Sequence, residues 1–237
     1  MQIRYVSNAG IILSTEGINI GIDCFCRDSA NIYQDTPLEI RQELKLDILI
    51  FTHEHEDHFC AEYVKEAWEE NKELQIVGNT KVIEMLTDIH IPVSNLHEVK
   101  EKDELHLGKV RVQFLESFHE GEQYADVQNL SLLINKDEKH YVVPGDAKPI
   151  QTFFEKIASW SKKIDCFFAP FPYVGLHSTR RLLAEYLDIK NIFVLHQPRP
   201  EADTQGWVKN AKKVCQNASD GLPEPIFPEK LGERYKI

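Results

Sequence analysis

Six consecutive residues carry the side chains best suited to chemistry in this sequence: His53, Glu54, His55, Glu56, Asp57 and His58. They follow a short apolar run at residues 47–52, which is rich in β-branched residues and predicts a buried strand. The six residues therefore fall where a strand ends and a loop begins, a common place for sites in α/β proteins. His53 and His55 are two residues apart, so an extended segment would place both imidazoles on one side, where they suit a divalent cation. Asp57 and His58 diverge from each other, which favours a second metal beside the first.

This H-x-H-x-D-H pattern closely resembles the signature of the metallo-β-lactamase superfamily of metal-dependent hydrolases. That family supplies a further His, then an Asp that bridges two metals, and then a last His, each at the end of a strand. In this chain His119 follows the run 110–115, Asp146 follows the run 141–145 and His196 follows the run 192–195. The three residues have the expected order and context, and the resemblance covers almost the whole chain.

The resemblance implies two sets of metal ligands and a cofactor of two divalent ions. The first set is His53, His55 and His119, the second is Asp57, His58 and His196, and Asp146 bridges them. Zinc suits three imidazoles best, and manganese or iron fits better as carboxylates join the set. The ions would share a water whose pKa falls to ~7 on coordination, so that a bridging hydroxide can attack a carbonyl or phosphoryl centre. Asp57 can also orient this nucleophile.

Asp23 ends the third predicted strand, and the resemblance places a carboxylate near the metals at this point. There it would partner a His ligand, fix the tautomer of the imidazole and raise its basicity. The alternative is a turn aspartate that only caps the end of the strand.

Departures from other subfamilies narrow the expected reaction. Secreted dizinc β-lactamases typically use Cys where Asp146 stands, and flavodiiron oxygen reductases have Glu at the position of His55. Nucleic-acid-processing members insert a domain that does not fit between Asp146 and His196. The chain is therefore similar to the compact group that includes ascorbate-6-phosphate lactonase, whose Pro-x-x-Gly loop residues 171–175 resemble. A hydrolase of a small ester, lactone or phosphoester is expected; a non-catalytic metal-binding or sensing module, and a nuclease or phosphodiesterase of the same superfamily, stay open.

Basic and aromatic residues that closely follow a candidate ligand, or lie in or just after the Pro-x-x-Gly segment, predict the substrate contacts: Lys148, Tyr173, His177, Arg180, Arg181 and Arg199. Ser178 predicts a helix N-cap, and first-turn amides beside Arg180 and Arg181 would bind phosphate or carboxylate. This grouping predicts a small anionic substrate. His177 could act instead as a general acid for the leaving group. The alternative is that both arginines pair with surface carboxylates such as Glu185.

Composition bounds the partners and the compartment. The net charge is −11, which argues against nucleic acid as a partner because an acidic surface repels polyanions. No apolar run approaches the length of a membrane span, and the N-terminus enters a polar strand pattern at once. Five cysteines at irregular spacing indicate reduced thiols and a cytoplasmic protein. Cys24 and Cys26 fit two small buried side chains better than a metal or redox pair. A small-molecule substrate is expected, and homo-oligomerisation stays open.

Strand and helix patterns recur in the same order along the chain. Strands at 2–6, 10–14 and 18–22, with turns at Asn8–Gly10 and Glu16–Gly17, open a first sheet. Helical spacing follows at 60–71, 80–89, 152–160, 179–187 and 205–216. Strands followed by helices, twice over, predict an α+β or α/β fold, specifically a four-layer αββα sandwich of two mixed sheets with helices on the outer faces. The resembled family has that fold, and we expect a single metallo-β-lactamase-like domain over residues 1–237.

Overall fold

The computed structural model describes residues 1–15 and 17–237, so the turn predicted at Glu16 and Gly17 lies partly outside the described residues. The chain divides into two compact units, one of residues 1–100 with 229–237 and one of residues 101–228. Each unit contains its own mixed sheet and its own helices. Among the described residues, no helix is long and apolar enough to cross a membrane.

The first unit contains a sheet of seven strands over its described residues. Its strands are β1 (Gln2–Tyr5), β2 (Ile11–Thr15), β3 (Ile18–Ile22), β4 (Ile48–Ile50), β5 (Gln75–Gly78), β6 (Leu96–Glu98) and β15 (Arg234–Lys236), in the order β15-β1-β2-β3-β4-β5-β6. Its helices are α1 (Leu38–Glu43), α2 (Ala61–Glu70) and α3 (Thr80–Asp88). The core of this unit joins α2 and α3 to the sheet through Val64, Leu86 and Ile76.

The register of β3 and β4 explains why residues far apart in sequence meet at one edge of this sheet. The two strands run parallel, with Ile22 opposite Ile50. All three residues of β4 are apolar and buried, as expected for a parallel strand that is covered on both faces. Because parallel strands end at the same edge, Asp23 after β3 and Thr52 after β4 emerge side by side.

The second unit contains a sheet of six strands and a two-stranded ladder over its described residues. The larger sheet has the order β14-β12-β10-β9-β8-β7, with β7 (Glu104–Leu107), β8 (Val110–Phe118), β9 (Gln128–Lys136), β10 (Lys139–Val143), β12 (Cys166–Pro170) and β14 (Ile192–Leu195). The small ladder pairs β11 (Lys163–Ile164) with β13 (Asp188–Ile189). The helices are α4 (Gln151–Trp160), α5 (Phe171–Gly175), α6 (His177–Tyr186) and α7 (Trp207–Asn217).

The strand directions in this unit gather three more chain segments at one edge. Strands β8 and β10 are both antiparallel to β9, and β10, β12 and β14 are parallel to one another. The carboxyl ends of β8, β10 and β14 therefore share an edge of the sheet, and the residues that follow them are His119, Asp146 and His196. Phe154 of α4, Val174 of α5 and Leu183 of α6 are fully buried in the core of this unit.

Two local predictions in this unit are wrong. Residues 171–175 form the short helix α5 rather than a loop, and Pro172 is tolerated because it lies in the first turn. Helix α6 begins at His177, so Ser178 lies inside the helix. The N-cap position is Leu176, which provides no side-chain hydrogen bond.

Candidate metal centre

The candidate ligands of the first unit lie in one tight loop after β4. The backbone N–H groups of His58 and Phe59 both donate to the carbonyl oxygen of His55, at 2.9 and 2.8 Å. This turn folds the loop back on itself. The centroid of the His53 ring lies 4.7 Å from that of His55 and 4.2 Å from that of His58. Three imidazoles therefore converge within the first unit.

The buried carboxylate of Asp23 fixes the orientation of two of these imidazoles. Its Oδ1 accepts the Thr52 backbone N–H at 2.8 Å, and its Oδ2 accepts the Thr52 hydroxyl at 2.7 Å. Oδ2 also lies 2.9 Å from Nδ1 of His58. The Thr52 hydroxyl oxygen is 3.0 Å from Nδ1 of His53 and accepts a hydrogen bond from its N–H, because the hydroxyl proton points to Asp23. With both Nδ1 atoms donating, Nε2 would be the nitrogen of His53 and of His58 that binds a metal.

Asp23 thus lies beside a candidate His ligand, and its role as the partner of a metal-bound imidazole stays a prediction. Its backbone φ of +45° is in the left-handed region, which aspartate tolerates better than most residues. The hydrogen bonds of Thr52 to Asp23 and His53 were not predicted from the sequence. A Thr directly before the first His of the motif, one residue beyond an apolar run, was the available signal.

The candidate ligands of the second unit are His119, Asp146 and His196. Nδ1 of His119 lies 2.6 Å from the carbonyl oxygen of Glu120 and donates to it, so that Nε2 would again be the nitrogen that binds a metal. Oδ2 of Asp146 lies 3.6 Å from Nε2 of His119 and 3.2 Å from Nε2 of His196. One carboxylate oxygen therefore stands close to two imidazole nitrogens.

These separations fit donors that share a metal ion. Two ligand atoms bound tetrahedrally to one zinc at ~2.1 Å are about 3.4 Å apart. The 3.2 and 3.6 Å separations in the second unit lie close to that value, as does the 3.8 Å between Oδ2 of Asp57 and Nε2 of His58 in the first. Imidazole nitrogens and carboxylate oxygens are also the donor types that zinc, manganese and iron accept. In donor type and in spacing, the residues fit divalent ions.

A strained backbone marks the last candidate ligand. His196 has a φ of +58°, a conformation that costs an L-residue roughly 1–2 kcal/mol. Strain of this kind persists where the surrounding structure imposes it, and it clusters at functional sites. Gly145, directly before Asp146, also has a φ of +58°, and here the absence of a side chain removes the cost.

Asn129, which sequence reasoning missed, holds the segment that carries Asp146. Its Oδ1 accepts the Asp146 backbone N–H at 3.0 Å. Its Nδ2 donates to the carbonyl oxygen of Pro144 at 2.8 Å and to the Ser117 hydroxyl at 2.8 Å. The side chain is fully buried, so these bonds fix the turn after β10 from within the core.

The structure corrects the prediction that Arg180 binds substrate. Its side chain is only 2% exposed, and its Nε and Nη2 donate to the two carboxylate oxygens of Asp220 at 2.7 and 3.0 Å. A buried guanidinium that is paired in this bidentate way is not available to a diffusing anion. The alternative partner, Glu185, is not the residue that Arg180 contacts.

Tyr173 is likewise buried rather than exposed to substrate. Its hydroxyl donates to the carbonyl oxygen of Ala147, the residue after Asp146. Burial first, and then the negative charges of Asp146 and Glu120, raise the pKa of the Tyr173 phenol well above its usual value. Tyr173, predicted to contact substrate, instead contacts the loop that carries Asp146.

The other predicted substrate residues occupy different surroundings. His177 and Arg181 are exposed and line an open groove with residues 217–220, and that lining includes none of the candidate ligands. Arg199 is partly buried. Lys148 is partly buried, and its backbone N–H donates to the carbonyl oxygen of Phe118 at 2.6 Å, beside His119.

Comparison with known proteins identifies the class. The family model described as "Beta-lactamase superfamily domain" matches residues 18–182, well over half of the chain. The chain belongs to the metallo-β-lactamase superfamily. The match confirms the family predicted from the H-x-H-x-D-H motif and, with it, the assignment to a superfamily of metal-dependent hydrolases. A search of curated protein sequences found no significant relative.

Solved structures show the same fold at low sequence identity. A possible metal-dependent hydrolase from Veillonella parvula has a TM-score of 0.76 at 16% identity, over 100% of this chain and 99% of that one. Igni18, a metallo hydrolase from the archaeon Ignicoccus hospitalis, has a TM-score of 0.67 at 18% identity, over 100% and 98%. CmlA, a diiron β-hydroxylase from Streptomyces venezuelae, has a TM-score of 0.71 at 14% identity, over 100% of this chain but 54% of that one. These likenesses confirm the predicted fold class of two mixed sheets with helices.

Proposed function

We propose that this chain is a dinuclear metal-dependent hydrolase of a small ester, lactone or phosphoester. In this proposal, one ion binds His53, His55 and His119, the other binds Asp57, His58 and His196, and Asp146 bridges the two ions. The observation that carries it is the position of Asp146, whose Oδ2 stands 3.6 Å from one candidate imidazole and 3.2 Å from another. A carboxylate flanked by two imidazoles is the arrangement expected of a bridging ligand.

The bound ions would supply an activated water at neutral pH and would stabilise negative charge on the oxygen under attack. The residues of the chain prepare the site for this chemistry. Asp23 and Thr52 hold Nε2 of His58 and of His53 ready to bind, and the Glu120 carbonyl does the same for His119. The carboxylate of Asp57, 17% exposed, can accept a hydrogen bond from the attacking water and orient it.

Zinc is the proposed metal, because imidazole donors outnumber carboxylates among the candidate ligands. Manganese or iron remains an alternative metal, and the fold that this chain shares with a diiron hydroxylase supports iron as that alternative. The proposed substrate is a small anion similar to those of the lactonase-like group. With Arg180 paired to Asp220, the anion would rely on Lys148 and Arg199, which follow Asp146 and His196 closely in sequence.

The proposed setting is a single-domain cytoplasmic enzyme with no nucleic-acid or membrane partner. The support is the acidic net charge of −11 and the five cysteines, all of which are in the thiol form. Burial raises the pKa of the Cys26 thiol to about 12, so this residue is an inert structural thiol rather than a redox group.

Elemental analysis tests the metal centre. Protein purified without chelator and reconstituted with Zn²⁺ should hold more than one equivalent. Asp146→Ala should lose both ions, and His196→Ala should mainly weaken one. His97→Ala is the matched control, because His97 is an exposed histidine that contacts Gln75 and no candidate ligand. A stoichiometry that stays at one or below would contradict the dinuclear proposal.

A substrate panel tests the reaction. Zn²⁺-loaded protein is assayed against chromogenic esters, lactones, phosphomonoesters and phosphodiesters and against oligonucleotides, with the Asp146→Ala variant as the inactive reference. Metal-dependent turnover of an ester, lactone or phosphomonoester supports the proposal. Two ions with no turnover of any member would favour the sensing module. Turnover confined to phosphodiesters and oligonucleotides would favour the nuclease alternative.

A further inference from the structure

The turn between β1 and β2 reaches the ligand loop through Asn8. Its side chain is fully buried, and Nδ2 lies 3.3 Å from Oδ2 of Asp57 and 3.4 Å from the Asp57 carbonyl oxygen. The amide nitrogen must be the atom that faces Asp57, because the opposite rotamer would set Oδ1 against two acceptor oxygens. One carboxamide thus contacts both the carboxylate and the backbone of a candidate ligand.

The turn itself is held rigidly in place. The Val6 N–H donates to the Gly10 carbonyl oxygen at 2.9 Å, and the Asn8 N–H donates to the Gln34 carbonyl oxygen at 2.9 Å. A Cβ at Gly10 would lie 2.0 Å from the Ser7 hydroxyl oxygen and 2.9 Å from the Asp23 carbonyl oxygen. Only glycine permits this close approach. At Gly10 the turn therefore packs directly against the backbone of Asp23, the residue that also orients His58.

Stability alone does not explain a buried asparagine at this position. Its Oδ1 is buried and accepts no hydrogen bond from the described residues, a situation that costs roughly 1–3 kcal/mol. Asn95 in the same unit shows the structural alternative. Its Nδ2 donates to the carbonyl oxygens of Lys72 and Leu74, and its Oδ1 accepts from Ser94.

We propose that Asn8 is a positioning residue that sets the orientation of the Asp57 carboxylate for the second metal ion. The inference rests on the proposed function, because it assigns Asp57 to that ion. Without the carboxamide, the Asp57 carboxylate can rotate about its side-chain bonds and spends less time in the orientation that binds metal. Metal binding must then order this carboxylate, at an entropic cost that the Asn8 hydrogen bonds avoid in the wild type.

The test is a double-mutant cycle on metal affinity. The dissociation constants of both Zn²⁺ ions are measured by chelator competition for the wild type, Asn8→Ala, Asp57→Ala and the double variant. Asn8→Ala should weaken one ion by roughly 10-fold or more, the range seen for residues that orient ligands, and change the other by less than about twofold. In the Asp57→Ala background the same change should have no further effect on metal affinity, because no carboxylate is left for Asn8 to orient. The visible absorption of Co²⁺-loaded protein should shift in Asn8→Ala for the same reason.

Asn95→Ala is the matched control. It should lower the free energy of unfolding and leave both metal affinities and the Co²⁺ spectrum unchanged. Asn8→Ser serves beside Asn8→Ala if the latter folds poorly, since the serine hydroxyl is too short to reach Asp57.

Each outcome decides a different claim. A wild type that binds two ions, with Asn8 variants that are folded and unchanged in metal affinity, would overturn the inference alone. Equal effects of Asn8→Ala with and without Asp57 would also overturn it. A wild type that holds one ion or none would overturn the proposed function, and the inference with it.

Discussion

Asp23 is the single residue on which most of the first unit's site geometry depends. One buried carboxylate accepts from the Thr52 N–H, the Thr52 hydroxyl and Nδ1 of His58, and through the hydroxyl it also orients His53. A charged acceptor makes these bonds roughly twice as strong as neutral ones. Hydrogen bonds within the chain therefore order two of the candidate ligand imidazoles.

Replacing Asp23 by Asn should weaken metal binding without disturbing the backbone. Asn has the same shape and tolerates the φ of +45°, but it removes the negative charge that binds the His58 Nδ1–H. We expect metal affinity to fall roughly 10- to 100-fold, and the free energy of unfolding to fall by about 1–3 kcal/mol. Chelator competition and urea denaturation measure the two quantities.

The control for this change is Asp47→Asn. Asp47 is an exposed aspartate of the same unit that accepts the Asn19 N–H at 2.8 Å. Its replacement should leave metal affinity unchanged. An Asp23→Asn variant with the affinity of the wild type would show that the carboxylate does not prepare the imidazoles.

At the scale of elements, the site depends on hydrogen bonds that connect the ends of neighbouring strands. The start of β9 holds the end of β10, because Asn129 bonds the Pro144 carbonyl and the Asp146 N–H. Ser131 of β9 donates to the same Pro144 carbonyl at 2.8 Å. Helix α5 adds the Tyr173 hydroxyl on the Ala147 carbonyl. The segment around Asp146 is therefore clamped on both sides.

Asn129→Ala should destabilise this clamp. It leaves the Asp146 N–H without its acceptor and removes a donor from the Pro144 carbonyl, at about 1 kcal/mol or more for each lost bond. We expect the free energy of unfolding to fall by about 2–4 kcal/mol in urea denaturation. Asn135→Ala, near the other end of β9 and only partly buried, should change it by less than about 0.5 kcal/mol. Similar losses at both positions would contradict the clamp.

The ion pair between Arg180 and Asp220 connects helix α6 to the segment after α7. This pair predicts a pH-dependent contribution to stability. Burial by itself would raise the pKa of Asp220, but the hydrogen bonds and charge of Arg180, with backbone N–H groups, hold it below its usual value. A depressed pKa in the folded state stabilises the protein above the unfolded pKa, and this contribution is lost as pH falls through the folded pKa.

Asp220→Asn should therefore lower the free energy of unfolding by a constant amount between about pH 5 and 7, and by a shrinking amount below about pH 4. Urea denaturation across this range measures the difference from the wild type. Glu185→Gln is the control, since Arg180 pairs with Asp220 and not with Glu185. A difference that stays the same down to pH 2 would show that the Asp220 charge is not the cause.

At the scale of the whole molecule, the net charge of −11 is the property that bears on partners. An excess of carboxylates opposes the approach of a polyanion, and a local basic group can offset this only over about one Debye length, ~10 Å at 0.1 M salt. Arg180, one of the cations that could have formed such a group, is neutralised by Asp220.

We therefore expect no appreciable binding of nucleic acid. Fluorescence anisotropy of labelled RNA and single-stranded DNA, titrated with Zn²⁺-loaded protein at physiological ionic strength, should show no saturation at micromolar concentration. Binding that weakens steeply with added salt, together with metal-dependent cleavage of the strand, would contradict this prediction.

The sequence by itself determined the types of the candidate ligands, their order and their places at strand ends. These are local properties, because an apolar run predicts a strand and the residue after it marks the strand end. Helix α3, predicted at residues 80–89 from its helical spacing of apolar residues, which is also a local property, is found at Thr80–Asp88. The family followed from residues that stand together in one short motif, and the family match confirmed it.

The tertiary structure alone decided which residues contact the candidate ligands and which charges are exposed. Asn8 meets Asp57 across 49 positions, Asn129 meets Asp146 across 17, and Arg180 meets Asp220 across 40. Hydrogen bonds over such separations depend on how strands and helices pack, and no local pattern encodes that packing. Asn8 lies in the turn predicted for it, but its contact with Asp57 was not predicted, and Arg180 was expected to be open to substrate. Burial explains both differences, because a polar group removed from water must find a partner inside the fold.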